Sequence, residues 1–483
     1  FTSTGPGAAN ACGALVEARF AGSPVLHITG QTATGNIDRA QGPVHDVYDQ
    51  LGMLKSVSKA AYRVRSAESA LGVLTQAATE ALTPPTGPVS VEIPIDIQRT
   101  LIDRPPSLET LTLPVPPPKP APAASLDAMV NVLAKAKRPM LWCGSGARHA
   151  GEAVKRLADM GVGVVTSWAG RGVLPEDHPM TLGGNNGTGT PLVEKFYETV
   201  DVMVVAGSRL RGHETRDLTM RLPSRLIHID VDPTANGRTY ASELFVCADS
   251  KEALTALADR LAGRLKVEPG FPDEFKKLKV EAMAAYKAGL GAYTTFPEQL
   301  RAALPRDAIF VRDVTLSNTT WGHRLFPLYG PRDSVYPVGA AIGPGLHLGI
   351  GASLAGKGRK VVAMCGDGGF FLNISEIWTA VQEKVNICFI VMNDGGYGVI
   401  KHIQDSLYGG RHFFGDLYSP PLEKLTGISG IAFERVAKAE EFGPAVKRAV
   451  SISGPSLVEV DMNAIGEFPR YFQPPPYAQK AKA

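Results

Sequence analysis

Short apolar runs closed by glycine alternate with helix-period stretches along the whole of this 483-residue chain. Val361 to Cys365 and Ile387 to Met392 are two such runs, apolar at every position, as strands buried on both faces of a parallel sheet should be. Between them, Asn373 and Glu376 form an N-cap signature. Ile374, Ile377, Trp378 and Val381 follow at i, i+3, i+4 and i+7, which predicts a helix with one apolar face packed on the sheet. The stretch 360–398 therefore predicts a βαβ unit whose two strands run parallel.

The same alternation organises the rest. Residues 1–102 predict a helix from Ala8 to Phe20, a strand from Pro24 to Gly30, a helix near Ala67 to Ala81 and a strand from Val89 to Ile95. This reads as the latter part of an α/β domain: Phe1 opens inside a strand-to-helix turn, so the first domain is expected to be N-terminally truncated. Residues 103–124 are dominated by proline and predict an extended linker. Ser125 is expected to cap a helix that opens a central α/β domain over 125–265. Its strands are expected at Met140–Cys143, Val162–Thr166, Val202–Ala206 and Leu226–Ile229. A helical connector, Asp273 to Lys287 within 266–297, leads to a third α/β domain at 298–466. Residues 467–483 are proline-rich and predict a surface tail, with a lid over the site as the alternative. The expected fold class is α/β, three doubly wound parallel-sheet domains.

Composition narrows the function classes. With 44% apolar and 20% charged residues the chain can bury several cores. A net charge of +3 without a basic block gives no reason to propose nucleic acid or an anionic membrane as partner. No apolar run approaches the roughly 20 residues that span a bilayer. The five cysteines are scattered, odd in number and without a C-x-x-C, which suits buried thiols in a reducing, cytoplasmic setting.

The chemistry concentrates at the two predicted strand ends. Asp367 leaves the first strand within Gly366-Asp367-Gly368-Gly369, and Asp394 leaves the second within Asn393-Asp394-Gly395-Gly396-Tyr397-Gly398. Ligands of open α/β sheets bind at such ends. Two carboxylates there suit a hard divalent cation that takes its remaining oxygens from a diphosphate. Gly368 and Gly369 would let backbone N–H groups approach the anion. Turn chemistry alone is the other reading of either short motif.

Taken together, Gly366-Asp367-Gly368 and Asn393-Asp394 resemble the signature of thiamine diphosphate (ThDP) enzymes, which opens with Gly-Asp-Gly and closes with Asn-Asn. Asp394 stands where that pattern has its second Asn. Thr2-Ser3-Thr4-Gly5-Pro6-Gly7-Ala8-Ala9-Asn10, Gly30-Gln31, Pro88 to Pro94 and His228 to Pro233 are similar to acetolactate synthases, whereas Ser375 to Ala380 is closer to benzoylformate decarboxylase. The resemblance covers essentially the whole chain.

It implies a ThDP- and Mg²⁺-dependent carbon–carbon lyase or ligase that decarboxylates a 2-oxo acid and transfers the resulting acyl carbanion to a second carbonyl. Alternatives are a simple 2-oxo acid decarboxylase of the benzoylformate type and a non-catalytic ThDP-binding protein. It further implies a homodimer or homotetramer with ThDP at a subunit boundary. The implied metal ligands are Asp367, Asp394 and the Gly396 carbonyl, within a cofactor site of Gly366, Asp367, Gly368, Gly369, Asp394, Gly396, Tyr397 and Gly398. Thr315, Ser317 and Asn318 fall on the segment that meets the phosphates from the opposite side, and helix capping explains them equally well. Ile342 takes the place of the apolar wedge that bends the coenzyme, with the Ala340 carbonyl as acceptor for the aminopyrimidine; core packing is the alternative for Ile342. His45 and Asp46 are the ionisable pair on the substrate side, or a solvated loop pair. Acetolactate synthases have Phe-Gln-Glu at His45-Asp46-Val47 and a Trp at Ile403, and benzoylformate decarboxylase has a catalytic His at Thr2. The activating glutamate of the family is expected upstream of Phe1. Gly144-Ser145-Gly146 and Gly207-Ser208-Arg209 have two readings, contacts to FAD or closure of βα loops.

Overall fold

The computed structural model describes residues 1–472. Among the described residues fourteen strands form three sheets, each wholly parallel, and the chain divides into two compact units, Phe1–Pro118 and the remainder from Lys119.

The first unit holds β1 (Leu26–Gln31), β2 (Ala60–Arg63) and β3 (Val89–Pro94) in the order β1-β3-β2. The helix predicted from Ala8 to Phe20 is two helices, Pro6–Asn10 and Cys12–Ala21, broken at Ala11. Helix Gln50–Val57 and β2 are additional to the predicted elements. Their short runs carry too little periodicity to be read alone.

The second unit carries two sheets. The first contains β4 (Pro139–Cys143), β5 (Gly163–Thr166), β6 (Val202–Ala206), β7 (Leu226–Asp230) and β8 (Leu244–Cys247), ordered β5-β4-β6-β7-β8. Its first helix, Ala123–Leu133, starts before Ser125, with Pro122 at the N-cap position, so Ser125 is not the cap. The helix predicted as a connector spans Phe271–Ala288. It buries Phe271, Phe275, Leu278 and Ala282 in the core of this sheet.

The other sheet contains β9 (Ile309–Arg312), β10 (Ser334–Val335), β11 (Val361–Gly366), β12 (Ile387–Asn393), β13 (Ala432–Val436) and β14 (Ser456–Asp461). Their order is β10-β9-β11-β12-β14-β13. Alternate residues of the central strands feed two cores. Val362, Met364, Cys388 and Ile390 pack on one face, and Val361, Ala363, Ile387 and Phe389 on the other. From β9 the chain moves to one side to form β10 and then to the other to form β11, which puts the switch point of the sheet at the carboxyl ends of β9 and β11.

The crossover from β11 to β12 is parallel, but its helix is broken. A short helix, Asp367–Leu372, starts directly after Gly366, and a second spans Glu376–Gln382. Asn373 ends the first helix and is not the N-cap of the second. Its Nδ2 donates instead to the Gly343 carbonyl at 2.9 Å. The break rotates the second helix so that Ile377 and Ala380 are buried while Trp378 is 45% exposed, off the predicted apolar face.

The start of the predicted surface tail is core. Phe468 is buried with its ring centroid 4.8 Å from that of Tyr293, and the Tyr471 hydroxyl bonds Thr319 Oγ1. Residues 473–483, the rest of that segment, lie outside the described residues.

No helix among the described residues is long and apolar enough to cross a membrane. All five cysteines are free.

Candidate active site

A cleft opens at the switch point of the β9–β14 sheet. Val314 to Ser317 line it after β9, Gly366 to Gly369 after β11, and Asp394 with Gly396 to Ile400 after β12; Ile342, Met392 and Met462 complete its walls. The structure thus brings Thr315, Ser317, Ile342, Gly366, Asp367, Gly368, Gly369, Asp394, Gly396, Tyr397 and Gly398 around one space. Asn318 lies buried behind the wall, and Ala340 sits exposed on the turn before Ile342 with φ of 65°.

Asp367 and Asp394 lie within hydrogen-bonding reach of each other in this cleft, and the proton affinity of each depends on the other. Burial, then the nearby Asp367 charge and hydrogen bonding to it, push Asp394 up to about 7, with Lys401 opposing. Burial also raises Asp367, opposed by hydrogen bonds from Ser419 and Asp394. Ser419 Oγ donates to Asp367 Oδ2 at 3.0 Å, whereas Asp367 Oδ1 is buried without a partner. Two buried carboxyls placed together favour a positive charge between them. No group of three or more His, Cys, Asp or Glu side chains suited to a metal converges among the described residues. The donor set is therefore two carboxylates plus backbone carbonyls, which leaves coordination positions for phosphate oxygens. These residues fit a metal–diphosphate group.

Two glycines of the motif are required by packing. A Cβ on Gly368 would lie 2.7 Å from the Tyr397 ring, and one on Gly398 would lie 2.1 Å from Asp394 Oδ2. Any side chain at either position would push the second motif away from the first.

The wall after β9 is a helical segment containing a wide π turn, Asn318–Gly322. Such turns are rare and cluster at functional sites because they displace a helix face. Buried arginines hold this one open. Arg171 and Arg312 donate to the Gly322 carbonyl at 2.8 and 2.7 Å, and Arg324 donates to the Thr319 carbonyl at 2.6 Å. Thr315 Oγ1 accepts the Asn318 N–H at 2.9 Å and so works as a cap, yet it also lines the cleft. Ser317 Oγ and Asn318 Oδ1 are buried without partners. Ser317 Oγ and Asp367 Oδ1, both on residues that line the cleft, are buried polar atoms without a partner, as suits a site for a polar ligand.

Ile342 is 38% exposed and faces the cleft, so core packing does not account for it. Its turn is clamped by Asp313, the residue after β9. Asp313 Oδ1 accepts the Val314 and Gly343 N–H groups at 2.6 and 3.0 Å, and Oδ2 accepts that of Gly345 at 3.1 Å. Sequence reading missed Asp313. A carboxylate at the end of the strand that flanks the switch point was the available signal.

His45 and Asp46 belong to the first unit. His45 is exposed with φ of 69°, and the Asp46 N–H donates to the Pro43 carbonyl at 3.1 Å. A buried network that sequence reading missed lies in the same unit. Glu92, fully buried, accepts from Gln31 and Gln50 at 3.2 and 2.9 Å and pairs with Arg63. In the β4–β8 sheet the two glycine turns close on each other. The Gly146 N–H donates to the Gly207 carbonyl at 3.0 Å, and a Cβ on Gly144 would lie 2.1 Å from that oxygen. Loop closure therefore accounts for these glycines.

Three family models match consecutive parts of the chain: the N-terminal TPP binding domain of thiamine pyrophosphate enzymes over residues 1–53, their central domain over 126–257 and their C-terminal TPP binding domain over 316–460. The chain is 26% identical to a probable acetolactate synthase large subunit of Methanocaldococcus jannaschii, over 95% of this chain and 80% of that one. It is 28% identical to a probable 2-ketoarginine decarboxylase of Pseudomonas aeruginosa, over 95% and 82%. Its fold is similar to the solved structure of a thiamine diphosphate-dependent 4-hydroxybenzoylformate decarboxylase of Rhodococcus jostii RHA1. That similarity has a TM-score of 0.79 at 24% identity and covers 95% of this chain and 86% of the other.

Proposed function

The chain belongs to the thiamine diphosphate-dependent enzymes, and from that premise we propose that it is a Mg²⁺-dependent carbon–carbon lyase or ligase acting on a 2-oxo acid. The observation that carries this reading is the cleft itself, which the Asp367 and Asp394 carboxylates line together with Ser317, whose buried Oγ has no partner. When bound, thiamine diphosphate supplies an electron sink for the pair left behind as CO₂ departs from the substrate.

Asp367, Asp394 and the Gly396 carbonyl would hold the divalent cation, and Ser317 and Thr315 would meet the phosphates, with Asn318 behind them. Asp394 in place of an Asn keeps an oxygen ligand and adds a negative charge. Ile342, which lines the cleft, would give the coenzyme apolar support, and the Ala340 carbonyl would offer it a hydrogen-bond acceptor. Apolar Val314, Leu316, Val399 and Met462 keep the walls dry, which strengthens electrostatic contacts and limits stray protonation.

The acetolactate synthase relatives support transfer of the acyl unit to a second carbonyl, whereas the decarboxylase relative and Ile403 favour release as an aldehyde. Exposed Phe413, Phe414 and Tyr418 form an apolar stretch beside Gly415 and Asp416, which pair with the site loop, and they support a homodimer or homotetramer as the active form. FAD is kept as a candidate ligand of the central domain, tested by the colour of the purified protein.

A panel of 2-oxo acids supplied with ThDP and Mg²⁺, followed by NMR, tests the proposal. Hydroxyketone formation is the expected outcome and aldehyde alone would mean a simple decarboxylase. No turnover of any acid, with ThDP bound, would overturn the enzymatic reading.

A further inference from the structure

Three walls of the cleft come from segments far apart in sequence, and a single buried residue touches all of them. Asp313 follows β9 and is fully buried. Its carboxylate takes the N–H groups of Gly343 and Gly345, on either side of Pro344 and next to Ile342. Its backbone carbonyl takes Asn318 Nδ2 at 2.6 Å, at the head of the π turn. The third wall, the helix that begins at Asp367, lies against the same carboxylate, because a Cβ on Gly369 would sit 2.9 Å from Asp313 Oδ2.

We propose that Asp313 is a positioning residue that sets Ile342 and the π turn relative to the carboxylate pair, so that the cleft is held in register before any ligand enters. The proposal rests on the reading of this cleft as the ThDP site. Asp313 does not line the cleft and acts only through what it holds. A purely structural aspartate at a strand end would cap one local turn. Here the carboxylate reaches about thirty residues along the chain to a turn whose other anchor is the Asn373 amide. Pre-organisation of this kind lowers the ordering that binding must impose.

Asp313→Asn tests this. The amide matches the carboxylate in size but puts an NH₂ where one carboxylate oxygen accepted, so a backbone N–H of Val314, Gly343 or Gly345 loses its acceptor. Hydrogen exchange of the ligand-free protein should then show about 10-fold faster exchange confined to 339–346 and 315–322, with the β4–β8 sheet unchanged. Calorimetric affinity for ThDP with Mg²⁺ should fall by about 10-fold. Asn373→Ala, which removes a partly exposed anchor of the same turn, should give a smaller change of the same sign in both readouts, and stands in if Asp313→Asn does not fold. Unchanged local exchange in both variants would overturn the proposal. So would a uniform rise in exchange across the β9–β14 sheet, which marks a merely structural role, or an unchanged affinity. Failure of the unmodified protein to bind ThDP with Mg²⁺ would overturn the reading of the cleft instead, and it is a separate measurement from the exchange result.

Discussion

At the scale of single residues the account turns on Asp394. Its carboxyl is raised from the ordinary carboxylate range to about 7, first by burial and then by Asp367. An acid whose pKa is higher in the folded state makes the native protein bind more protons between its two pKa values. Stability of the metal-free protein should therefore fall as pH rises from about 4 to about 7. Asp394→Asn removes the titrating group, so thermal unfolding in the presence of a chelator should show a flatter pH dependence and, at about pH 8, a higher melting temperature than the parent. Identical pH profiles would mean that the Asp394 carboxyl is not raised. Asp367, Asp394, Ser317 and Ile342 were legible in the sequence because the motif and its family resemblance fix their positions. Asp313 and the arginines of the π turn were not, because long-range bonds such as Arg171 to the Gly322 carbonyl leave no local pattern.

At the scale of elements, the central strands were readable because a strand buried on both faces is apolar throughout, as Ile387–Asn393 shows up to its last residue, whereas β2, β8, β10, β13 and β14 were not read from the sequence. Helix phases were less so. The Asn373 and Glu376 spacing looked like a cap, but the Asn373 side chain is engaged across space by Gly343, which splits the helix and leaves Trp378 in solvent. The Phe468 segment misled through its prolines: composition suggested a tail, whereas the aromatic rings fill the core beside Tyr293 and Phe296. Phe468→Ala should accordingly destabilise the β9–β14 sheet by about 3 kcal/mol. A urea titration followed by tryptophan fluorescence reads this, since Trp321 lies in the same core. A midpoint equal to that of the parent would return the segment to the surface.

At the scale of the whole molecule, the sequence conveyed three parallel-sheet α/β domains because apolar runs and helix-period stretches alternate on both sides of the proline-rich linker at 103–124. The sheet that carries the site differs from the central sheet at the corresponding place. At the central switch point Gly144 and Gly207 pack on each other, while at the β9/β11 switch point the ends diverge around a cleft with orphaned polar atoms. The pair expected on the substrate side was the least legible part, because His45 and Asp46 lie on an irregular loop in the first unit, where no periodicity constrains a side chain. The central claim is that Asp367 and Asp394 bind a divalent cation that in turn anchors a diphosphate. Isothermal calorimetry of ThDP binding with and without Mg²⁺, on the parent and on Asp367→Ala, tests it most directly. The account predicts binding by the parent only when Mg²⁺ is present, and a loss of about 100-fold or more in affinity for a variant that stays folded. Undiminished Mg²⁺-dependent affinity in Asp367→Ala would contradict it.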